Sequence, residues 1–346
     1  MFSGCGCFIV PKEVIERFAR DSSLPKRSRD AFQATAALEP IWRKLRVAQN
    51  QAIQASLLAR PKALMLAAAP KVTIYDCQNT TSLPGIPVAN PGGSADGTAK
   101  RAFGETTAVA DFYRTCFGRN SIDDLGMTLM SSIHFDTDYN NAFWNGAQMT
   151  YGDGDGQIFI DFTNSNDVIA HELTHGVTQY TAGLVYTNEA GALNESVSDV
   201  FGSMFRQWQA KQSVTKADWL IGAGIIGPAA KTKGFTCLRD LSNPGAAHCL
   251  SPQPNNYANY VPGGDPHHNS GIPNYAFYLA AKGIGGQSWD RTGKIWYAAL
   301  TDKKATKNMS FKSFAKLTRS AASTLFAADP AVYAAVDGAW SSVGVP

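Results

Sequence analysis

Two short helical signatures, separated by twenty residues from His175 to Glu195, constrain this chain more than anything else in it. The stretch DVIAHELTHGVTQYTAG (167–183) reads as one helix, with Asp167 placed to cap its start and Gly183 to end it. His171 and His175 are four apart and project from one face, so two imidazoles can reach one tetrahedral ion. Glu172 is turned by about 100° around the axis. It is badly placed as a third ligand but can reach a water on the metal.

A catalytic zinc needs a third protein ligand and an open fourth position. The second signature, GALNESVSDVFG (191–202), supplies Glu195 as that ligand. The interval is long enough for the chain to turn and return antiparallel. Asp199 lies one turn further on the same face, placed to accept the free ring N–H of a ligand histidine. An HExxH string arises by chance, and histidine pairs are common on surfaces and in cores. The second helix at a workable distance turns the string into a site. The implied chemistry is hydrolysis: bound zinc lowers the pKa of its water to about 7 and polarises a carbonyl, while Glu172 takes the proton.

Composition narrows the partners. The 346 residues are 44% apolar and 17% charged, with a formal net charge of +3 and no long run of one sign. Nucleic acid and anionic membranes are therefore not expected, and no stretch of about 18 apolar residues is present to span a bilayer. The opening MFSGCGCFIVPKEVIERFARD has an apolar part, Cys7 to Val10, too short for a secretory signal. The expectation is a protein that leaves the cell by a leaderless route or stays in the cytoplasm. None of the six cysteines forms a paired CxxC set. Cys237 and Cys249 bracket a short loop, as a disulfide or as free thiols.

Texture divides the chain. Residues 1–69 are rich in Ala, Arg, Lys, Gln and Leu, with helical patterns around 12–20 and 30–59. The basic, Ala-rich stretch near 57–71 reads as an exposed linker and a cleavage site. From Lys71 short apolar runs alternate with Gly, Asn, Asp and Pro. Strands are expected at 73–75, 127–130, 133–135, 147–151 and 157–162, with a polar loop over 79–100 and a helix over 103–118. Helical patterns dominate from 167 to the end. The fold class is α+β, in three parts: 1–69, a β-rich 70–185 that includes the HExxH helix, and a helical 186–346.

Longer blocks extend the signal: YNNAFWNGAQMTYGDGDG (139–156), DVIAHELTHGVTQYTAGLVYTNEAGALNESVSDVFGS (167–203), LRDLSNP (238–244) and HHNSGI (267–272). With them the chain resembles the thermolysin family of gluzincin zinc peptidases, and within it the protealysin group, whose short propeptide begins much like CFIVPKEVIERFA (7–19). The resemblance implies a two-lobed zincin, made as a precursor, that cuts on the N-terminal side of bulky apolar residues. It implies that His267 and Tyr186 stabilise the oxyanion, with His268 as the alternative register for the histidine. It further implies that Arg239 binds the substrate carbonyl beyond the cut and that Asn141 and Ala142 form the edge strand for the peptide backbone. Val168 and Leu238 would wall the pocket for the residue after the cut. The implied partners are peptide and protein substrates, the chain's own propeptide as inhibitor and, as for some relatives, a separate protein inhibitor, with the enzyme a monomer. A non-enzymatic binding protein on this scaffold would usually have lost Glu172 or a ligand, and none is lost.

Three positions depart from the family's pattern. Pro262 stands where an aspartate usually orients the histidine at 267, leaving Asp265, two residues before it, as the candidate substitute. Asp167 and Asp218 keep two positions of the family's double calcium site, but Arg206, Leu220 and Ala223 replace others. That site is expected to be absent, with Arg206 between Asp167 and Asp218 as a fixed cation. Finally, Cys5 or Cys7 could bind the zinc as a thiolate, or Phe8, Ile9 and Val10 could simply pack against the catalytic part.

Overall fold

The computed structural model describes residues 7–57 and 70–346, with the backbone alone for 43–57. Cys5 and most of the expected cleavage region lie outside the described residues. Six strands form one mixed sheet: Cys7–Phe8 (β1), Val72–Thr80 (β2), Ile86–Pro87 (β3), Leu129–Phe135 (β4), Ala142–Trp144 (β5) and Met149–Tyr151 (β6). Their order is β1-β5-β6-β4-β2-β3. The β2–β4 and β4–β6 pairs are parallel and the others antiparallel. Helices Lys12–Ala19 (α1) and Lys26–Leu57 (α2) precede β2, Gly97–Phe117 (α3) lies between β3 and β4, and Asn166–Gln179 (α4) and Asn188–Gln209 (α5) follow the sheet.

A small ribbon of Leu220–Ile221 (β7) and Arg239–Asp240 (β8) flanks Pro228–Thr232 (α6). The chain then runs through Pro266–Asn269 (α7), Gly271–Ile284 (α8), Arg291–Thr301 (α9), Phe311–Leu325 (α10) and Pro330–Ser342 (α11). The sheet-rich first half and helical second half make the expected α+β, two-lobed arrangement. No helix of the described residues is long and apolar enough to cross a membrane.

One large apolar cluster joins the halves, with Leu173 and Val177 of α4 and Val197, Val200, Phe201 and Met204 of α5 inside it. Each such side chain contributes about 1.5–3 kcal/mol on burial. The helix pair can approach closely because α5 carries Gly202: a Cβ there would stand 2.7 Å from the Asp167 carbonyl oxygen on α4. Gly176 does the same for Trp144, whose Cζ2 would meet an added Cβ at 3.3 Å.

Several local expectations are corrected. Residues 157–162 are not a strand: the Asp155 carboxylate accepts the amides of Gln157, Ile158 and Phe159 at 3.2, 2.9 and 3.1 Å, leaving only an isolated bridge from Phe159 to Ile226. The helix expected at 103–118 starts at Gly97, because Asp96 caps it through the amide of Thr98 at 2.9 Å. Asp167 is not the cap of α4 but lies in its first turn, where a carboxylate is favoured by the helix dipole. Helix α4 ends at Gln179; Gly183, at φ +61°, donates to the Thr178 carbonyl at 2.8 Å in the turn that follows.

His134 on β4 bridges two carboxylates, with Nδ1 2.8 Å from Asp153 Oδ2 and Nε2 3.1 Å from Asp96 Oδ2. The Asp153 bond, against partial burial, raises its pKa from 6.5 to about 9. A folded-state pKa above the unfolded one gives stability that is complete below about pH 6.5 and lost as pH rises through about 9. Discounted for partial exposure, about 1 kcal/mol should disappear between pH 7 and 10. In an inactive background, melting temperature should fall more over that range than in His134→Gln; parallel pH profiles would remove the assignment.

Candidate active site

Helices α4 and α5 bring the two signatures together. His171 Nε2 and His175 Nε2 face each other at 3.0 Å, both residues fully buried. The far nitrogens are already engaged: His171 Nδ1 lies 2.9 Å from Asp199 Oδ1, and His175 Nδ1 lies 2.8 Å from Asn194 Oδ1 and 3.0 Å from Ser198 Oγ. A neutral imidazole that donates from Nδ1 presents a lone pair at Nε2. Two such lone pairs at this distance repel unless a cation lies between them. Glu195 closes the third side, with its carboxylate oxygens 3.4 Å from His171 Nε2 and 3.6 Å from His175 Nε2. Its Oε2 is buried and makes no hydrogen bond. Two imidazoles, one carboxylate and an oxygen awaiting a partner are the donor set of a catalytic zinc, and the residues fit that ion.

Glu172, also fully buried, accepts the backbone N–H of Trp144 at 2.9 Å through Oε2. Across the site, Tyr186 donates its hydroxyl to Glu195 Oε1 and lies 3.2 Å from His267 Nε2. His267 is buried, whereas His268 is partly exposed. The question left by Pro262 is answered by Asp265. Its Oδ1 accepts the amide of His267 at 2.8 Å, capping α7, and sits 2.7 Å from the ring Nδ1. Burial lowers the pKa of His267, but the Glu195 and Asp265 carboxylates outweigh it and raise the value above normal.

Arg239 is fully buried and grips Asp199 with two nitrogens, at 2.8 and 2.7 Å. Asn274 adds a third donor to that carboxylate at 2.9 Å. Burial works against the charge, yet Arg239 and His171 hold the Asp199 carboxyl well below its usual range.

The N-terminal strand lies along this site. Phe8 pairs with Phe143 and Cys7 with Trp144. The Phe8 carbonyl accepts from His267 Nε2 at 2.6 Å, and the Ile9 amide donates to the Ala142 carbonyl at 3.1 Å. The Ile9 carbonyl accepts from Arg239 Nη1 at 2.9 Å. Val10 exchanges both backbone bonds with the Asn141 side chain, at 3.0 and 3.1 Å. Val168 and Leu238 are buried in the apolar cluster that takes in Ile9. Ala142, Asn141, Arg239 and His267 thus hold the backbone of three consecutive residues, Phe8 to Val10.

A family model described as thermolysin metallopeptidase, catalytic domain, matches residues 51–179, and one described as thermolysin metallopeptidase, alpha-helical domain, matches residues 182–345. The chain belongs to the thermolysin family. The extracellular metalloprotease of Pectobacterium carotovorum subsp. carotovorum is 44% identical over 284 residues, covering 79% of this chain and 80% of that protein. Protease PrtS of Photorhabdus sp. (strain Az29) is 42% identical over 286 residues, covering 79% and 76%. Among solved structures, the precursor of protealysin, a metalloproteinase from Serratia proteamaculans, superposes with a TM-score of 0.84 at 39% identity, covering 98% of this chain and all of that one. This thermolysin-family chain is accordingly a zinc metalloendopeptidase close to the protealysin group.

Around the family's calcium positions, Arg206 pairs with Asp218 at 2.5 Å and donates to the Leu220 carbonyl at 3.1 Å. It does not bridge to Asp167 as expected. Asp167 instead accepts from the Ser165 hydroxyl and from the Gly222 amide at 2.7 Å. Cys237 and Cys249 are not disulfide-bonded; their sulfurs lie 3.7 Å apart. Sequence reasoning missed Asn194, Ser198 and Asn274. Asn194 and Ser198 are four apart on α5, a spacing that could have flagged them as partners of His175.

Proposed function

We propose that this peptidase is made as a precursor, with residues 1–69 as an inhibitory propeptide, 70–185 as the β-rich catalytic lobe and 186–346 as the helical lobe. It cleaves peptide bonds before bulky apolar residues. The reading is carried by one observation: two imidazole nitrogens 3.0 Å apart beside the Glu195 carboxylate, beneath a peptide strand held by Ala142, Asn141, Arg239 and His267.

His171, His175 and Glu195 would hold the zinc, which when bound would polarise the scissile carbonyl and acidify the attacking water. Glu172 takes the proton from that water and delivers it to the leaving amine. His267 and Tyr186 donate to the oxygen that gains charge, and Asp265 keeps the His267 ring turned toward it. Arg239, Asn141 and Ala142 fix the substrate backbone as an added strand. Val168 and Leu238 shape the pocket that favours Leu, Phe or Ile. Asp199 orients His171 and neutralises Arg239. The reading includes no double calcium site, which is supported by Asp167 accepting the Gly222 amide and Asp218 pairing with Arg206.

Labelled peptides carrying a single Leu or Phe, with the cut mapped by mass spectrometry, test the reading. Cleavage should fall on the N-terminal side of that residue, vanish with a chelator and return with one zinc per chain. Millimolar calcium should leave the melting temperature unchanged. Activity that survives chelation, or cuts directed by basic residues, would overturn the reading.

A further inference from the structure

The N-terminal strand presents the Phe8–Ile9 bond as a substrate would. The carbonyl of Phe8 faces the oxyanion donor His267, and the amide and carbonyl of Ile9 are held by Ala142 and Arg239. Ile9 also supplies the apolar side chain expected after a cut. An enzyme holding such a peptide should cleave it, unless the hydrolytic centre is itself blocked.

The residue just before Phe8 stands at that centre. Cys7 is fully buried, packs against Tyr186 and is not in a disulfide. Its sulfur and the ligand atoms of His175 and Glu195 all lie within 4.8 Å of one another. Among the described residues, no other cysteine shares such a cluster with these ligands. Three protein ligands leave zinc one open position, and a soft thiolate is among its preferred donors.

We propose that in the precursor the Cys7 thiolate takes the fourth position on the zinc held by His171, His175 and Glu195, displacing the hydrolytic water. This rests on the peptidase reading above. The thiol proton leaves to solvent as the sulfur binds, and the displaced water departs with no other bond changed. The strand is then held at two points, through its backbone by β5 and through Cys7 by the metal. The bond most exposed to attack is protected because the attacking water has no place.

X-ray absorption at the zinc edge tests this on the full chain carrying Glu172→Gln, which prevents self-cleavage, loaded with one zinc. One sulfur should appear at about 2.3 Å and be lost in the added variant Cys7→Ser, with zinc content retained. With Glu172 intact, Cys7→Ser should shed its N-terminal segment faster. A shell of nitrogen and oxygen alone in the Cys7 chain overturns the proposal, and needs no folded Cys7 variant to do so. A sulfur that persists in Cys7→Ser assigns the thiolate elsewhere and overturns it, as does an unchanged maturation rate. Those results leave the peptidase reading standing, whereas zinc content unaffected by His171→Ala with His175→Ala sinks both.

Discussion

Replacing Glu172 by glutamine is expected to lower kcat by about 10³–10⁴-fold, near the top of the range for loss of a general base. The substitution is close to isosteric, and the amide oxygen can still accept the Trp144 N–H that Glu172 Oε2 accepts at 2.9 Å. Fold and zinc content should therefore survive. KM should change little, since the group acts on the proton of the attacking water rather than on the bound peptide. Kinetics with a labelled peptide, beside zinc analysis and a melting curve, give the answer. Activity within tenfold of the parent would remove Glu172 from the role of base.

The second large effect is expected at Asp199, which touches no substrate. Its carboxylate joins His171, Arg239 and Asn274 in a pocket without solvent. Asp199→Ala leaves the Arg239 guanidinium buried without its counter-charge, a change that costs about 3–5 kcal/mol. It also frees the Nδ1–H of His171, so zinc affinity should fall by about 10–100-fold. Denaturant unfolding in an inactive background measures the first, and competition with a chelator of known affinity the second. Asp199→Asn keeps an acceptor but removes the charge and should fall between. If the alanine variant bound zinc as tightly as the parent, Asp199 would not be orienting the ligand. The wild-type pair is not thereby a large net source of stability, because burying both charges offsets much of their attraction.

The candidate zinc centre was legible in the sequence because it is built on helical period. Residues four apart share a face whatever surrounds the helix, so His171, His175, Glu195 and Asp199 could be assigned from spacing. Glycine at 202 was visible, but its use was not. Only the crossing of α4 and α5 shows that a side chain there would strike the Asp167 carbonyl. Where side chains competed for backbone amides, pattern failed. Residues 157–162 look like a strand, yet the Asp155 carboxylate takes the amides of Gln157, Ile158 and Phe159 before a neighbouring strand can. Asp96 likewise starts α3 six residues before the apolar pattern does.

By itself, then, the sequence determined the α+β class and, through extended motif blocks, the family, and it singled out His171, Glu172, His175 and Glu195 as the candidate centre. Tertiary structure decided the reach of Asp265 to His267, the pairing of Arg206 with Asp218 instead of Asp167, and the placing of Cys7 beside His175 and Glu195. The bonds from His267 to Phe8 and from Arg239 to Ile9 span 259 and 230 residues. No local period encodes such separations. They follow from an unpaired edge at β5 whose backbone donors and acceptors needed a strand, and which of the chain's segments fills that edge is settled only when the whole molecule is assembled.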